Sequence, residues 1–146
     1  SVLIPTLSFR QRLLNASDYD YLRICLNLAN GQVRFLTNLT QEEIFSAYKA
    51  CKMYVRPGFS FTPKISDIEA AFAGAKIVLP DTPVMHDYFG EYAEYCEPSN
   101  ILSIIEAMSR VEKKKECELP EKLKNYPSIK ETINQLREIY QEVKIK

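Results

Sequence analysis

Ser66 and Glu69 stand three residues apart, where two prolines, Pro57 and Pro63, frame a loop that leads into a helix of small residues. The S-x-x-E spacing is that of a capping box, in which each side chain accepts a hydrogen bond from a backbone N–H group at the helix start. The same start is the positive end of the helix, and it favours a phosphate group. Lys64 would add a cation there, and Glu69 would accept hydrogen bonds from a sugar diol. The residues alone leave both interpretations open: a helix cap, or a site for a phosphate and a sugar.

Few other residues are of types that could take part in binding or catalysis. The sequence contains neither G-x-G-x-x-G nor a P-loop, so no common phosphate fingerprint is present. His86 is the only histidine, and since no partner acid is identifiable by spacing, we expect a surface or hydrogen-bonded role for it. Asp81 and Asp87 are interpreted as turn and cap residues.

The cysteine content and the composition limit the classes of protein to which the chain can belong. The four cysteines form no CxxC pair, and with a single histidine they provide no zinc-ligand set, so free buried thiols in a reducing compartment are expected.

The 146 residues fit one domain. Lysine plus arginine equal aspartate plus glutamate at 19 each, which disfavours nucleic-acid binding, and the run at 113–115 is interpreted as a solvated turn. The apolar runs are too short to span a bilayer, and we expect a cytoplasmic protein.

Strand and helix signals alternate along the chain. Apolar runs predict strands at 2–4, 33–36, 53–55, 77–79 and 94–96. Helical spacing and caps predict helices at 18–29, 40–50, 66–74 and 85–89, and two more that begin near Asn100 and at Ser128. Asn30-Gly31 is a predicted stop for the first of these helices, and Thr40 with Glu43 and Ser128 with Glu131 have the spacing of capping boxes. The alternation predicts an α/β fold with a Rossmann-like parallel sheet and helices on both faces. The proline-framed loop then lies at the carboxyl ends of the strands, where such sheets bind ligands.

Two helices near the carboxyl terminus carry apolar stripes. The first stripe comprises Ile101, Ile104, Ile105 and Met108. The second is interpreted as core or a domain contact, and it comprises Ile133, Leu136, Ile139, Tyr140 and Val143. A polar stretch at 116–125 is expected to link the two helices.

From Val33 to about Asn100 the chain resembles the C-terminal, donor-binding domain of GT-B glycosyltransferases of the retaining, glycogen-synthase-like group. The resemblance is carried by "VRFLTNLTQEEIFSAYKACKMYVRP", by "SDIEAAFAGAKIVLPD" and by "HDYFGEYAEYCEPSN". The final "INQLREIYQEV" is similar to the helix that closes many of these domains. The distance from Pro57 to Glu69 keeps the family spacing. The resemblance implies that residues 1–146 form a single nucleotide-sugar-binding domain of a longer two-domain protein.

The resemblance assigns roles to individual residues. Glu69 matches the second of two family glutamates, which holds the donor ribose. The loop whose N–H groups meet the donor diphosphate and sugar matches Thr62, Pro63, Lys64, Ile65 and Ser66. The position of the first glutamate, which faces the sugar, is occupied by Phe61.

Other positions depart from the family pattern. The family glycines fall on Thr62 and Lys64, and a family proline falls on Lys76. The arginine and lysine that grip the diphosphate have no clear counterpart, and no alignment transfers that role to Arg10 or Arg12. These departures concern residues that would touch the donor.

The activity implied by the resemblance is transfer of a hexose from a UDP- or GDP-type donor to an acceptor, with retention at the anomeric carbon. It implies no metal and no cofactor besides the donor, and it implies an N-terminal acceptor-binding domain as partner. The isolated chain is expected to be inactive. The alternative is a catalytically degenerate GT-B-like module that binds a nucleotide or contacts a partner, and the phenylalanine at position 61 favours that alternative.

Overall fold

The computed structural model describes residues 2–6, 16–29, 31, 33–115, 118–125 and 127–144. Contacts divide the chain into two compact units, Ser1–Ala50 and Cys51–Lys146, and each is described by itself. Arg10, Arg12 and Cys117 lie outside the described residues.

The first unit contains a two-stranded parallel sheet, in which Val2 pairs with Val33. Its elements are β1 (Val2–Thr6), α1 (Ala16–Ala29), β2 (Val33–Thr37) and α2 (Gln41–Ala50). Gly31 follows α1 with a φ of 73°, a conformation that favours glycine, so it ends the helix as predicted. Thr40 and Glu43 form the predicted capping box of α2: the Thr40 N–H donates to Oε2 of Glu43 at 2.7 Å, and the Glu43 N–H donates to Oγ1 of Thr40 at 3.3 Å.

The second unit is built on a three-stranded parallel sheet whose middle strand is wholly buried. The strands, in spatial order, are β3 (Tyr54–Val55), β4 (Ile77–Pro80) and β5 (Ala93–Cys96). The helices are α3 (Ile65–Phe72), α4 (Pro83–Phe89), α5 (Ile101–Lys113), α6 (Glu121–Lys124) and α7 (Ile129–Lys144), with a 3-10 turn at Gly90–Tyr92. The predicted α/β class with parallel strands is confirmed.

Helices cover both faces of the three-stranded sheet. Successive side chains of a strand point to opposite faces. Val78 on one face of β4 packs in a core cluster with Ala107 and Val111 of α5. Tyr54 pairs with Ile77, on the other face, and its hydroxyl reaches α3. The sheet is therefore sandwiched between α5 and α3.

The apolar stripes behave differently from the prediction. In α5 the predicted stripe is confirmed in part: Ile104 and Met108 pack against the core cluster, whereas Ile101 and Ile105 are exposed. The fully buried residues of α5 are Ala107 and Val111, so the face that contacts the sheet is rotated from the predicted one. For the apolar stripe of α7 the core interpretation is wrong, since its side chains are all exposed; a domain contact stays a prediction. The supposed polar link contains α6, and its Leu123 is fully buried.

Among the three cysteines that the structure describes, Cys96 is fully buried, Cys25 and Cys51 are half-buried, and none forms a disulfide bond. Burial raises the pKa of the Cys51 and Cys96 thiols. Across the described ranges, the helices are too short or too polar to cross a lipid bilayer.

Candidate functional site at the carboxyl edge of the three-stranded sheet

Three helices begin at the carboxyl edge of the sheet. Because β3, β4 and β5 are parallel, the residues that follow them leave the sheet at one edge, and α3, α4 and α5 start there. The α4 start is capped by Thr82, whose Oγ1 accepts from the Met85 N–H at 3.3 Å. The α5 start is capped by Asn100, whose Oδ1 accepts from the Leu102 N–H at 3.0 Å. Such an edge is the usual ligand-binding side of a parallel sheet.

Asp67 is the centre of a buried hydrogen-bond network at the start of α3. Its side chain is fully buried and receives two bonds from Arg56, from Nε to Oδ1 and from Nη2 to Oδ2, both of 2.6 Å. The Tyr54 hydroxyl donates to Oδ1 at 2.9 Å, and the Lys64 N–H donates to Oδ2 at 2.8 Å. Four donors thus satisfy one carboxylate, which is what a buried charge requires.

The predicted Ser66–Glu69 capping box is wrong. The helix begins at Ile65 with Lys64 as its N-cap, so Ser66 already lies inside the first turn. Asp67, three residues after Lys64, accepts the N-cap N–H instead, and the Asp67 N–H donates to the Lys64 carbonyl at 3.0 Å. Asp67 takes this place because Arg56 and Tyr54 hold it there.

Arg56 is committed to this network. Burial alone would lower the pKa of its guanidinium, but the hydrogen bonds and negative charge of Asp67, together with Tyr54, raise that pKa above its ordinary value. The group is therefore a permanent cation whose charge is balanced by its neighbour. Lys64 places a second positive charge at the start of α3, and its side chain is exposed.

The loop before α3 is exposed but internally bonded. The Ser60 N–H donates to the Gly58 carbonyl at 2.8 Å, and its Oγ donates to the Thr62 carbonyl at 2.9 Å. Phe61 is 78% exposed, and Ile65 is 76% exposed. The possibility that Phe61 is a core residue is thereby excluded.

The structure brings the predicted donor-binding residues to one exposed loop and one helix turn. Of the group, Thr62, Lys64 and Ile65 are exposed, while Pro63, Ser66 and Glu69 are half-buried. The Ser66 hydroxyl lies 3.0 Å from the Tyr54 hydroxyl. Glu69 stands one turn into α3, on the helix that this loop enters.

Sequence reasoning missed a second cluster at the same edge. His86 Nε2 lies 2.8 Å from Oδ1 of Asp81, and its ring stacks on Tyr95 with a centroid distance of 3.7 Å. Burial, followed by the negative charges of Asp81 and Glu94, raises the pKa of the Tyr95 hydroxyl. An imidazole held by a carboxylate can accept and release protons. The spacing of Asp81 and His86 alone does not identify this pair, because the turn at Thr82 that opens α4 brings them into contact. The expected surface and hydrogen-bonded role of His86 is confirmed, since the residue is exposed.

A cleft in the described part of the second unit lies at the opposite edge of the sheet. It has a volume of about 550 Å³ and is lined in part by Lys52, Lys76 and Tyr92, which shortly precede β3, β4 and β5. The Lys76 ammonium donates to the carbonyls of Glu112 at 3.0 Å and Lys114 at 2.6 Å, so this side chain caps the end of α5.

The solvated-turn interpretation of the lysine run at 113–115 is wrong for Lys114. Its ammonium donates to Oε1 of Glu94 at 2.9 Å and to the Ala93 carbonyl at 3.2 Å. Arg110 donates to the other oxygen of Glu94 at 2.9 Å. This ion-pair network joins α5 to β5, so that the lysine is a packing element rather than a free surface charge.

No protein-family model and no curated protein sequence matches this chain. The glycosyltransferase resemblance of the segment from Val33 to about Asn100 therefore stays a prediction from the residues that carry it.

Proposed function

We propose that this chain binds a nucleotide sugar at the carboxyl edge of its three-stranded sheet and serves as the donor-binding domain of a retaining, GT-B-like glycosyltransferase. The observation that carries the proposal is the fixed, exposed loop at 58–64 that leads into the start of α3. Its placement at the carboxyl ends of parallel strands is that of ligand-binding loops in α/β proteins.

The loop is organised before a ligand arrives. The bonds of Ser60 hold its middle, and the Arg56–Asp67 pair holds both of its ends. A loop that is already ordered loses little conformational entropy on binding, which favours affinity.

The electrostatics suit a diphosphate. The first N–H groups of a helix find no acceptor within the helix, and they point towards a ligand at its start. The buried charge of Asp67 is balanced by Arg56, which leaves the exposed Lys64 to attract an anion. Glu69, one turn further, would accept hydrogen bonds from the ribose hydroxyls, and Phe61 would pack against the face of the sugar.

Calorimetry with UDP, GDP and ADP tests this proposal. Glu69→Ala should weaken nucleotide binding by about 1–3 kcal/mol, the size of a hydrogen bond to a charged group. Glu106→Ala removes an exposed glutamate from α5 and should leave affinity unchanged. Binding of none of the three nucleotides, or equal affinities of the two variants, would contradict the proposal.

A catalytically degenerate binding or partner-contact module is the second candidate. It is favoured by Phe61, an exposed aromatic ring where the family places a sugar-facing carboxylate. Phenylalanine neither accepts a hydrogen bond nor stabilises positive charge. Nucleotide binding without transfer, in a protein that also contains the acceptor domain, would decide for this candidate.

A further inference from the structure

Helix α7 exposes an apolar face along its whole length. Each of the side chains from 129 to 143 is exposed. Isolated helices of about this length are only marginally stable in water, and helices in proteins gain most of their stability by packing an apolar face. The helix therefore has a surface that a partner would cover.

The spacing of the apolar residues indicates what kind of partner fits. Steps of four, three, four and three residues separate the members of what we call the α7 seam: Ile129, Ile133, Leu136, Tyr140 and Val143. This spacing is a heptad repeat with every a and d position apolar, and it packs against another helix rather than against a sheet. The seam runs from the first residue of α7 to the last but one.

Charges are sorted around the seam. Lys130 and Arg137 lie on one flank, at the e positions, and Thr132 and Ile139 lie on the other, at the g positions. The three glutamates of α7 lie away from the seam, at 131, 138 and 142. One flank is thus basic, the other is uncharged, and acidic residues are confined to the outer face.

This arrangement disfavours a second copy of the chain. An antiparallel pair would set Lys130 and Arg137 against the same basic flank of the other copy, and like charges at these positions repel. A parallel pair would set them opposite Thr132 and Ile139, which offer no negative charge. A membrane surface is disfavoured too, because helices that lie on anionic lipid carry basic residues across their polar face, where α7 has glutamates.

We propose that the α7 seam binds an amphipathic helix of a partner protein whose own heptad seam is flanked by acidic side chains. The apolar residues of the two helices would interlock, and the acidic flank would pair with Lys130 and Arg137. Charge pairs at these positions set the choice and the orientation of the partner.

Two designed 21-residue peptides test the proposal against the full chain. Both have isoleucine at a and leucine at d; the first has glutamate at e and g, and the second has lysine there. Fluorescence anisotropy should show the acidic peptide binding on the order of tenfold more tightly than the basic one, as attraction is exchanged for repulsion at two positions.

Three variants sharpen the test. Leu136→Asp should abolish binding without unfolding the second unit, because Leu136 is 47% exposed. Lys130→Glu combined with Arg137→Glu should reverse the preference between the two peptides. Glu138→Gln, on the outer face, is the control and should change neither affinity.

Equal affinity for both peptides, or binding of neither, would overturn the proposal. So would self-association of the chain in sedimentation that Leu136→Asp abolishes, because the seam would then belong to a second copy. Binding to phosphatidylglycerol vesicles that depends on Leu136 would assign the seam to a membrane instead.

Discussion

The side chains of Asp67 and Arg56 form a two-point ion pair in which both N–O distances are 2.6 Å. The carboxylate is fully buried, and the guanidinium side chain is 18% exposed. Because the pair joins the end of β3 to the start of α3, it closes the loop that carries the proposed donor site. The geometry of the site therefore depends on a contact that would not itself touch the ligand.

We predict that Asp67→Ala strongly destabilises the second unit. Removing one partner of a buried ion pair leaves the other charge uncompensated, which typically costs about 3–5 kcal/mol. Urea unfolding followed by circular dichroism measures this loss. Asp87→Ala is the matched control: Asp87 pairs with Lys122 at the surface and is 64% exposed, so its loss should cost about 1 kcal/mol or less. Equal losses in free energy of unfolding for the two variants would mean that the buried network stabilises the fold no more than the surface pair does.

The stability of the folded chain should fall in acid, and Glu94 should account for part of this loss. Burial alone would raise the pKa of Glu94, but the hydrogen bonds and charges of Lys114 and Arg110 lower it below the ordinary value of 4.5. The folded chain thus holds its proton less tightly than the unfolded chain. The stabilisation is present above the ordinary pKa and is lost as the pH falls through the lower, folded value.

Glu94→Gln tests this dependence. The difference in free energy of unfolding between the unchanged chain and the variant should be constant near neutral pH and should shrink in acid, below the ordinary pKa of Glu94. Urea titrations at a series of pH values measure it. Glu106→Gln, at an exposed position of α5, is the control. A difference that stays constant down to the acid transition would show that the three-residue network does not hold the Glu94 charge.

Phe61→Glu should leave the fold intact. The side chain is 78% exposed, and surface substitutions usually change stability by about 0.5 kcal/mol or less. Phe89→Glu is the matched control, because Phe89 is fully buried and the same change would place an unpaired charge in the core. Thermal unfolding should show a melting temperature near that of the unchanged chain for the first variant and a large drop for the second.

The same Phe61 variant addresses activity. In a protein that joins this chain to the acceptor domain, Phe61→Glu should raise the rate of transfer, because a carboxylate would stabilise developing positive charge at the sugar. Loss of one electrostatic contact of this kind typically costs on the order of 10²–10³ in rate. Radiolabelled donor turnover measures the change. Unaltered transfer, with unaltered nucleotide affinity, would remove position 61 from the site.

The isolated chain should be catalytically silent. Donor and acceptor of a two-domain transferase meet between the domains, and one domain does not orient both reactants. The rates of donor hydrolysis and transfer, measured as release of the nucleoside diphosphate, should equal those of the Glu69→Ala variant. Turnover above that variant would show that the 146 residues carry a complete active site.

Signals that act over a few residues were readable from the sequence. The capping pairs Thr40–Glu43 and Ser128–Glu131 both form as predicted, and Asn100 caps α5. Each of these contacts joins residues within one helical turn, so it depends on local spacing and not on the tertiary structure. Alternation of strand and helix signals likewise sufficed for the α/β class.

Tertiary structure decided the contacts that cross between elements. Asp67 displaced the Ser66–Glu69 pair because Arg56, eleven residues earlier, reaches it from the end of a neighbouring strand. The Asp81–His86 contact needed the turn that opens α4, and the position of Lys114 beside Glu94 needed α5 to pack on β5. Amphipathic spacing gave α7 an apolar face, but whether a face is buried depends on what packs against it, and spacing carries no information about that.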